Sequence, residues 1–352
     1  MRISELSLRW LATALKVDSS RITDLESSPV GTGQVAETYR LSYQLDRNPQ
    51  SLVLKLTPDN DISRETGRLQ ASYLREVRFY QELAPTLPVR VPQYRNADVD
   101  ETGAEFYLLL EDMTPVSQGD QLTGCTLAEV AAVLDEAAKL HGPRWQDPTI
   151  AQLPWLSVNV AARRPGPEIF SAMFAGFRER YAGRIEDEVL AVGERFFPNI
   201  DVYHQAQQAG PQTVTHGDFR PDNILFAGQG GRVPVTVVDW QTVDAGAPLS
   251  DVSYFIGGAL STEDRRANEV ALLERYLEGL RRYGVTDYSY PDCWQDYGRF
   301  SLQNYLVGVG AAMSVKQTER GDQMFIAMVR SAGYHALDLD ALGLLGLGSL
   351  HG

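Results

Sequence analysis

Up to about residue 113, short runs of alternating apolar and polar residues recur between turn-forming clusters, the pattern of half-buried strands. Residues 22–25, 38–43, 52–56 and 106–110 read as strands, with Asp46-Arg47-Asn48-Pro49 as one of the turns. A single helix is expected over 64–83, where Leu69, Tyr73, Glu76, Val77 and Tyr80 recur at three- and four-residue steps. The first sixteen residues read as an amphipathic helix. From Thr126 onward helical periodicity dominates, over 127–140, 169–181, 187–207, 263–283, 290–313 and 322–337. One β island interrupts it: the apolar runs 223–226 and 233–238, joined by Gly228-Gln229-Gly230-Gly231. The chain therefore divides into a β-rich lobe, residues 1–113, and a mostly α lobe, residues 114–352, with the linker at 113–124. The fold class is α+β.

Composition narrows the functions. A hydrophobic content of 43% with 22% charged residues is that of a globular protein. The net charge of −14 argues against nonspecific nucleic-acid or anionic-membrane binding. Cys125 and Cys293 have no metal-like spacing, which disfavours zinc and fits a reducing, cytoplasmic setting. No signal-peptide core and no membrane span is expected.

The chemistry concentrates in the β island. Thr215-His216-Gly217-Asp218-Phe219-Arg220-Pro221-Asp222-Asn223 is followed by Val237-Val238-Asp239-Trp240. Phosphoryl transfer needs a carboxylate to orient the attacking hydroxyl and hard oxygen ligands for the magnesium on the phosphates. Asp218 fits the first role, and Asn223 and Asp239 the second, because the spacing matches H-x-D-x-x-x-x-N with an aspartate ending a later strand. A bare H-x-D would be read as a surface turn; the flanking strands and the second aspartate overrule that here.

Gly31-Thr32-Gly33-Gln34-Val35-Ala36 precedes a strand rather than a helix, so it reads as a hairpin lid over phosphates and not as a dinucleotide turn. Only four lysines occur against twenty-eight arginines. One of them, Lys55, sits inside an apolar strand, where a compact ammonium can reach phosphate oxygens if a carboxylate holds it; Glu76 on the next helix is the natural holder. Backbone groups near Glu111 and Met113, at the end of the buried run 106–110, fit an adenine edge and, equally, a plain strand end. Other residues take duller readings: His141 as a capping or core histidine, His216 as a brace for its loop, Asp251 as an acceptor for catalytic-loop amides or a helix start, and Arg163-Arg164 and Arg281-Arg282 as solvated faces.

In this order the features resemble the aminoglycoside phosphotransferase and choline-kinase-like superfamily over residues 29–257. His216 to Asn223, Val238-Asp239-Trp240-Gln241 and Leu109 to Met113 look most like bacterial relatives of ecdysteroid-kinase-like enzymes. The resemblance implies a protein-kinase-like bilobal fold, ATP and Mg2+ bound between the lobes, and Asp218 as catalytic base. Gly217, Ala36 and Gln241 depart from the protein-kinase pattern. Only eleven residues separate Asp239 from Asp251, too few for a segment that docks a peptide and carries a regulatory phosphosite. A small-molecule hydroxyl acceptor is therefore expected, in a pocket shaped by helices within 151–208 and after residue 290, with the protein a monomer or homodimer. A nucleotide-binding pseudokinase scaffold and an aminoglycoside or macrolide phosphotransferase are the competing readings.

Overall fold

The computed structural model describes residues 2–31 and 35–350. Thr32, Gly33 and Gln34, three of the loop residues expected to meet phosphate, lie outside them.

Strands β1 (Ile22–Pro29), β2 (Glu37–Leu45), β3 (Asn48–Leu56), β4 (Tyr94–Val99) and β5 (Phe106–Glu111) form an antiparallel sheet in the order β1-β2-β3-β5-β4. The β2–β3 hairpin turns on two residues, Asp46 and Arg47, both left-handed at φ 52° and 64°, the backbone that a two-residue hairpin loop requires. Period-two alternation then decides which face each side chain sees. Leu52, Leu54 and Leu56 are buried against helix α1 (Leu8–Leu15), which contributes Leu11, Ala12 and Ala14. Val53 and Lys55 face the other way, towards the helices that follow.

Those helices are two rather than the one expected. Helix α2 (Asp61–Leu69) ends before Ala71, which is left-handed at φ 53°, and α3 (Ser72–Arg78) starts on a new axis and runs into a single wide turn, Phe79–Leu83. The three- and four-residue spacing concealed this break because both segments are helical. What separates them is burial. Helix α2 buries only Gly67, whereas α3 buries Ser72, Tyr73, Arg75, Glu76 and Val77. The Tyr73 ring lies against Gly67, where a Cβ would come within 2.3 Å of it.

The sheet's last strand ends at Glu111, and the next pairing, β6 (Ser117–Gln118) with β8 (Ile224–Ala227), is made to the C-terminal half. There the helices are α4 (Leu127–His141), α5 (Pro167–Arg180), α6 (Asp187–Phe196), α7 (Ile200–Ala209), α8 (Pro248–Ala259), α9 (Thr262–Arg281), α10 (Tyr290–Phe300), α11 (Gln303–Ser314) and α12 (Glu319–Asp338). The segments expected as single helices over 187–207 and 290–313 each divide. A tight turn at Phe197–Asn199 carries Pro198, which lacks the amide to continue the first, and residues 301–302 separate α10 from α11. Helix α8 is buried along almost its whole length and runs through the centre of the lobe. Two small antiparallel pieces, β6-β8-β9 with β9 at Val233–Val237, and β7 (Thr213–Thr215) with β10 (Asp244–Gly246), hold the loops between them against it.

One aromatic stack ties the lobes. Trp240, fully buried just after β9, stacks on Phe79 at a centroid separation of 3.8 Å and meets the His216 ring at 4.7 Å. Trp240→Ala is expected to cost about 3–5 kcal/mol, read as a lowered melting temperature; a loss below about 1 kcal/mol would show that the stack is not a structural tie.

Candidate active site

Lys55 is the next-to-last residue of β3, flanked across the ladder by Thr38 and Leu108. Its Nζ donates to both Glu76 carboxylate oxygens at 2.7 Å and to Asp239 Oδ1 at 2.8 Å. Burial works against the Lys55 charge, but Asp239 and then Glu76 outweigh it, and the ammonium's pKa is raised. Burial also pushes the Glu76 carboxyl up, opposed by the Lys55 charge. Asp239 is held in a left-handed conformation, φ 69° and ψ 62°. A non-glycine residue pays for such backbone, and the cost is met where surroundings over-determine it; here Trp240 is stacked immediately behind.

The second cluster is the loop after β7. Asp218 Oδ2 accepts from Asn223 Nδ2 at 2.8 Å, and the same nitrogen donates to the Asp218 carbonyl. Tyr254 Oη donates to Asp218 Oδ1 at 2.9 Å, and Arg220 Nε lies 3.3 Å from the carboxylate. Burial would protonate Asp218, but Arg220, then His216, Tyr254 and Asn223 outweigh it and its pKa is lowered. His216 braces the loop as expected: Nε2 donates to the Val238 carbonyl at 3.0 Å and Nδ1 accepts the Asp218 amide. Beneath it, Asp251 accepts the His216 amide at 2.6 Å and the Gly217 amide at 2.9 Å, so both roles read for it hold, since it also lies in the first turn of α8. His141, the last residue of α4, is fully buried, with Nε2 3.3 Å from Asp251 and Nδ1 2.8 Å from Tyr276 Oη. The two clusters meet through the Val238 amide, which donates to the Asn223 carbonyl at 3.0 Å.

The structure thus brings together Lys55, Glu76, Asp218, Asn223 and Asp239. Gly31, two residues past the end of β1, is exposed with φ 75°, and among the described residues no atom lies within 4 Å of its Cβ position. At the linker, the Glu111 amide donates to the Gln93 carbonyl, the Glu111 carboxylate takes Arg90 and Gln229, and the Met113 carbonyl accepts the Gln229 amide. These groups are therefore engaged within the protein. Pattern reading missed Tyr254 and Arg220; the signals were Arg220's place two residues after Asp218 and Tyr254's place one helical turn after Asp251. It also misread Arg163, whose side chain is only 6% exposed and bonds Asp244 rather than water. Arg281 and Arg282 are exposed as expected.

Asp239 and Asn223 each present a hard oxygen with few partners among the described residues. Asp239 is 31% exposed and, among the described residues, its Oδ2 is bonded to Gln241 Nε2 at 3.3 Å, while Asn223 gives its amide hydrogens to Asp218. Among the described residues no group of three or more His, Cys, Asp or Glu side chains could hold a metal.

Residues 27–289 match the model of the phosphotransferase enzyme family. The chain belongs to that family. Among solved structures it is similar over 97% of its length to a microcompartment-associated aminopropanol kinase (14% identity, 98% of that chain, TM-score 0.52). It is likewise similar over 97% to choline kinase from Cryptosporidium parvum Iowa II (10% identity, 97% of that chain, TM-score 0.56). These likenesses establish the bilobal, protein-kinase-like fold. Among curated sequences it is 24% identical over 218 residues to acyl-CoA dehydrogenase family member 11 of Gallus gallus, and 24% over 222 residues to that of Homo sapiens. The chain spans about a quarter of the length of these relatives, 26% in each case. Among the described residues no helix is long and apolar enough to cross a membrane.

Asp251→Ala would leave the two loop amides without their acceptor and is expected to cost about 1–3 kcal/mol for each buried donor, read by thermal melting. A separate acid test concerns Asp218. A carboxylate with a depressed native pKa stabilises fully above its ordinary value, 3.8, and loses that contribution as pH falls below it. The melting-temperature difference between wild type and Asp218→Asn should therefore shrink on acidification through that range, and a pH-independent difference would contradict the assignment.

Proposed function

We propose that this member of the phosphotransferase enzyme family is an ATP-dependent kinase that moves the γ-phosphate to a hydroxyl of a small molecule. One observation carries the reading: a single ammonium, Lys55, bonded at once to Glu76 and to Asp239, beside a loop in which Asp218 and Asn223 share a hydrogen bond. Lys55 then neutralises α- and β-phosphate oxygens while Glu76 keeps it in place. Asp218, ionised and held from three sides, points the acceptor hydroxyl and takes its proton as the new O–P bond forms and the bond from the γ-phosphorus to the bridging oxygen of ADP breaks. Asn223 and Asp239 would hold Mg2+, which when bound neutralises charge on the phosphates. The matched solved structures include kinases of amino alcohols, which supports a small hydroxyl compound as acceptor. The short segment between Asp239 and Asp251, folded into β10 and the start of α8, supports a small acceptor over a peptide.

Incubating the protein with γ-labelled ATP and a metabolite extract, followed by mass spectrometry of labelled products, identifies the acceptor. With that product as the readout, Asp218→Ala should lower turnover by about 10²–10⁴-fold while leaving ATP affinity near wild type. Equal loss of both would mean that Asp218 is wrongly assigned. Lys55→Met should instead weaken ATP binding, and chelation of divalent ions should abolish thermal stabilisation by ATP; stabilisation that survives chelation would remove Mg2+ from the scheme.

A further inference from the structure

A second charged assembly lies just beyond the metal loop. Asp244, at the start of β10, receives Arg163 Nη1 at 2.7 Å and Arg164 Nη2 at 3.3 Å on the same oxygen, Oδ2. The adjacent carbonyl, Val243 O, accepts Arg75 Nε at 2.8 Å. Arg75 is buried to 5% exposure and directly precedes Glu76 on α3; burial pulls its guanidinium down to about 9, and Asp244 is the charge that opposes that fall. Two guanidinium groups thus contact one carboxylate, and a third, from a distant segment, is bonded to the backbone carbonyl beside it.

Each of the three segments has a separate connection to the reaction site. Arg75 belongs to the helix that positions Glu76 and so Lys55. Asp244 lies five residues after Asp239, and β10 pairs with β7, the strand that leads into the catalytic loop, with Asp244 opposite Thr215. Thr242 Oγ1 also donates to the His216 carbonyl at 2.8 Å. Arg163 comes from the short helical turn Val160–Arg163, in the stretch between α4 and α5, and is fastened there by bonds to the Leu156 and Val158 carbonyls.

Kinases regulated by phosphorylation order the segment after the metal aspartate by pairing a phosphate with arginines. Resting on the phosphotransferase reading above, we propose that Asp244 is a permanent internal anion doing that work: a positioning residue that gathers Arg75, Arg163 and Arg164 and sets the Glu76 helix and the Asp239 loop in their working arrangement without modification. Its single charge replaces the larger charge of a phosphate, and the short link between Asp239 and α8 makes the smaller anion sufficient.

The test is anion rescue. Asp244→Ala leaves a small gap among three cations. Its Mg2+-dependent ATP hydrolysis should fall by on the order of 100-fold, the scale of a misplaced catalytic group, and acetate or inorganic phosphate should restore it where chloride at equal ionic strength does not. Asp244→Glu should retain activity within about tenfold, and Asp244→Asn, which preserves shape and serves should the alanine variant not fold, should lose as much as alanine. Wild-type rates in the alanine and asparagine variants would overturn the proposal. So would a loss shared by the glutamate variant and unmoved by either anion, the signature of a purely structural residue. ATP that neither stabilises nor is hydrolysed by the wild-type protein would overturn the phosphotransferase reading itself, and this proposal with it.

Discussion

The arrangement depends on one buried ion cluster, the Lys55 ammonium between Glu76 and Asp239. Taking three charges out of water is costly, and the cost is offset only when geometry is good and each charge is bonded. All three Lys55 contacts lie between 2.7 and 2.8 Å. They join the central strand of the sheet, the helix packed on it and a loop of the other lobe. A cluster of this kind adds little net stability compared with an apolar core, but it tolerates few alternative arrangements. It therefore specifies how the lobes meet.

Apolar packing supplies what the charges do not. The Trp240 stack on Phe79 places the residue after Asp239 beneath the wide turn that ends α3, so the helix bearing Glu76 and the loop bearing Asp239 share one hydrophobic support. Under the catalytic loop, Asp251 does the same for backbone amides, because it projects from α8, the most enclosed helix of the C-terminal half. Rigid buried elements thus carry Lys55 and Glu76 and brace the loops that carry Asp218, Asn223 and Asp239. Arg75 extends the same logic, since it reaches from α3 to the carbonyl next to Asp244 and connects the Glu76 helix to a third segment.

Much of the site was legible in advance because its residues sit at fixed spacing inside local motifs. Asp218 and Asn223 lie on one loop, and a two-residue period is enough to turn Lys55 away from Leu54 and Leu56 towards a following helix. Tyr254 and Arg220, which bond Asp218, were not legible as its partners. They lie 36 and 2 positions from it, and even the nearer depends on which way a turn directs its side chain. Helix breaks were concealed for a related reason: α2 and α3 have compatible periodicity, and only the packing of Tyr73 on Gly67 requires the chain to change direction between them.

What the sequence alone determined was therefore everything governed by short-range regularity: the β-rich and α-rich halves, the parity of the strand bearing Lys55, the motif pair around Asp218 and Asp239, and the shortness of the link to Asp251. Tertiary structure decided where charges end up relative to one another. Arg163 shows the difference. Beside Arg164 in the chain it has the look of a solvated pair, yet folding buries it against a carboxylate 81 residues away, because Coulomb energy depends on distance in space and on the water excluded around it, neither of which a linear pattern contains.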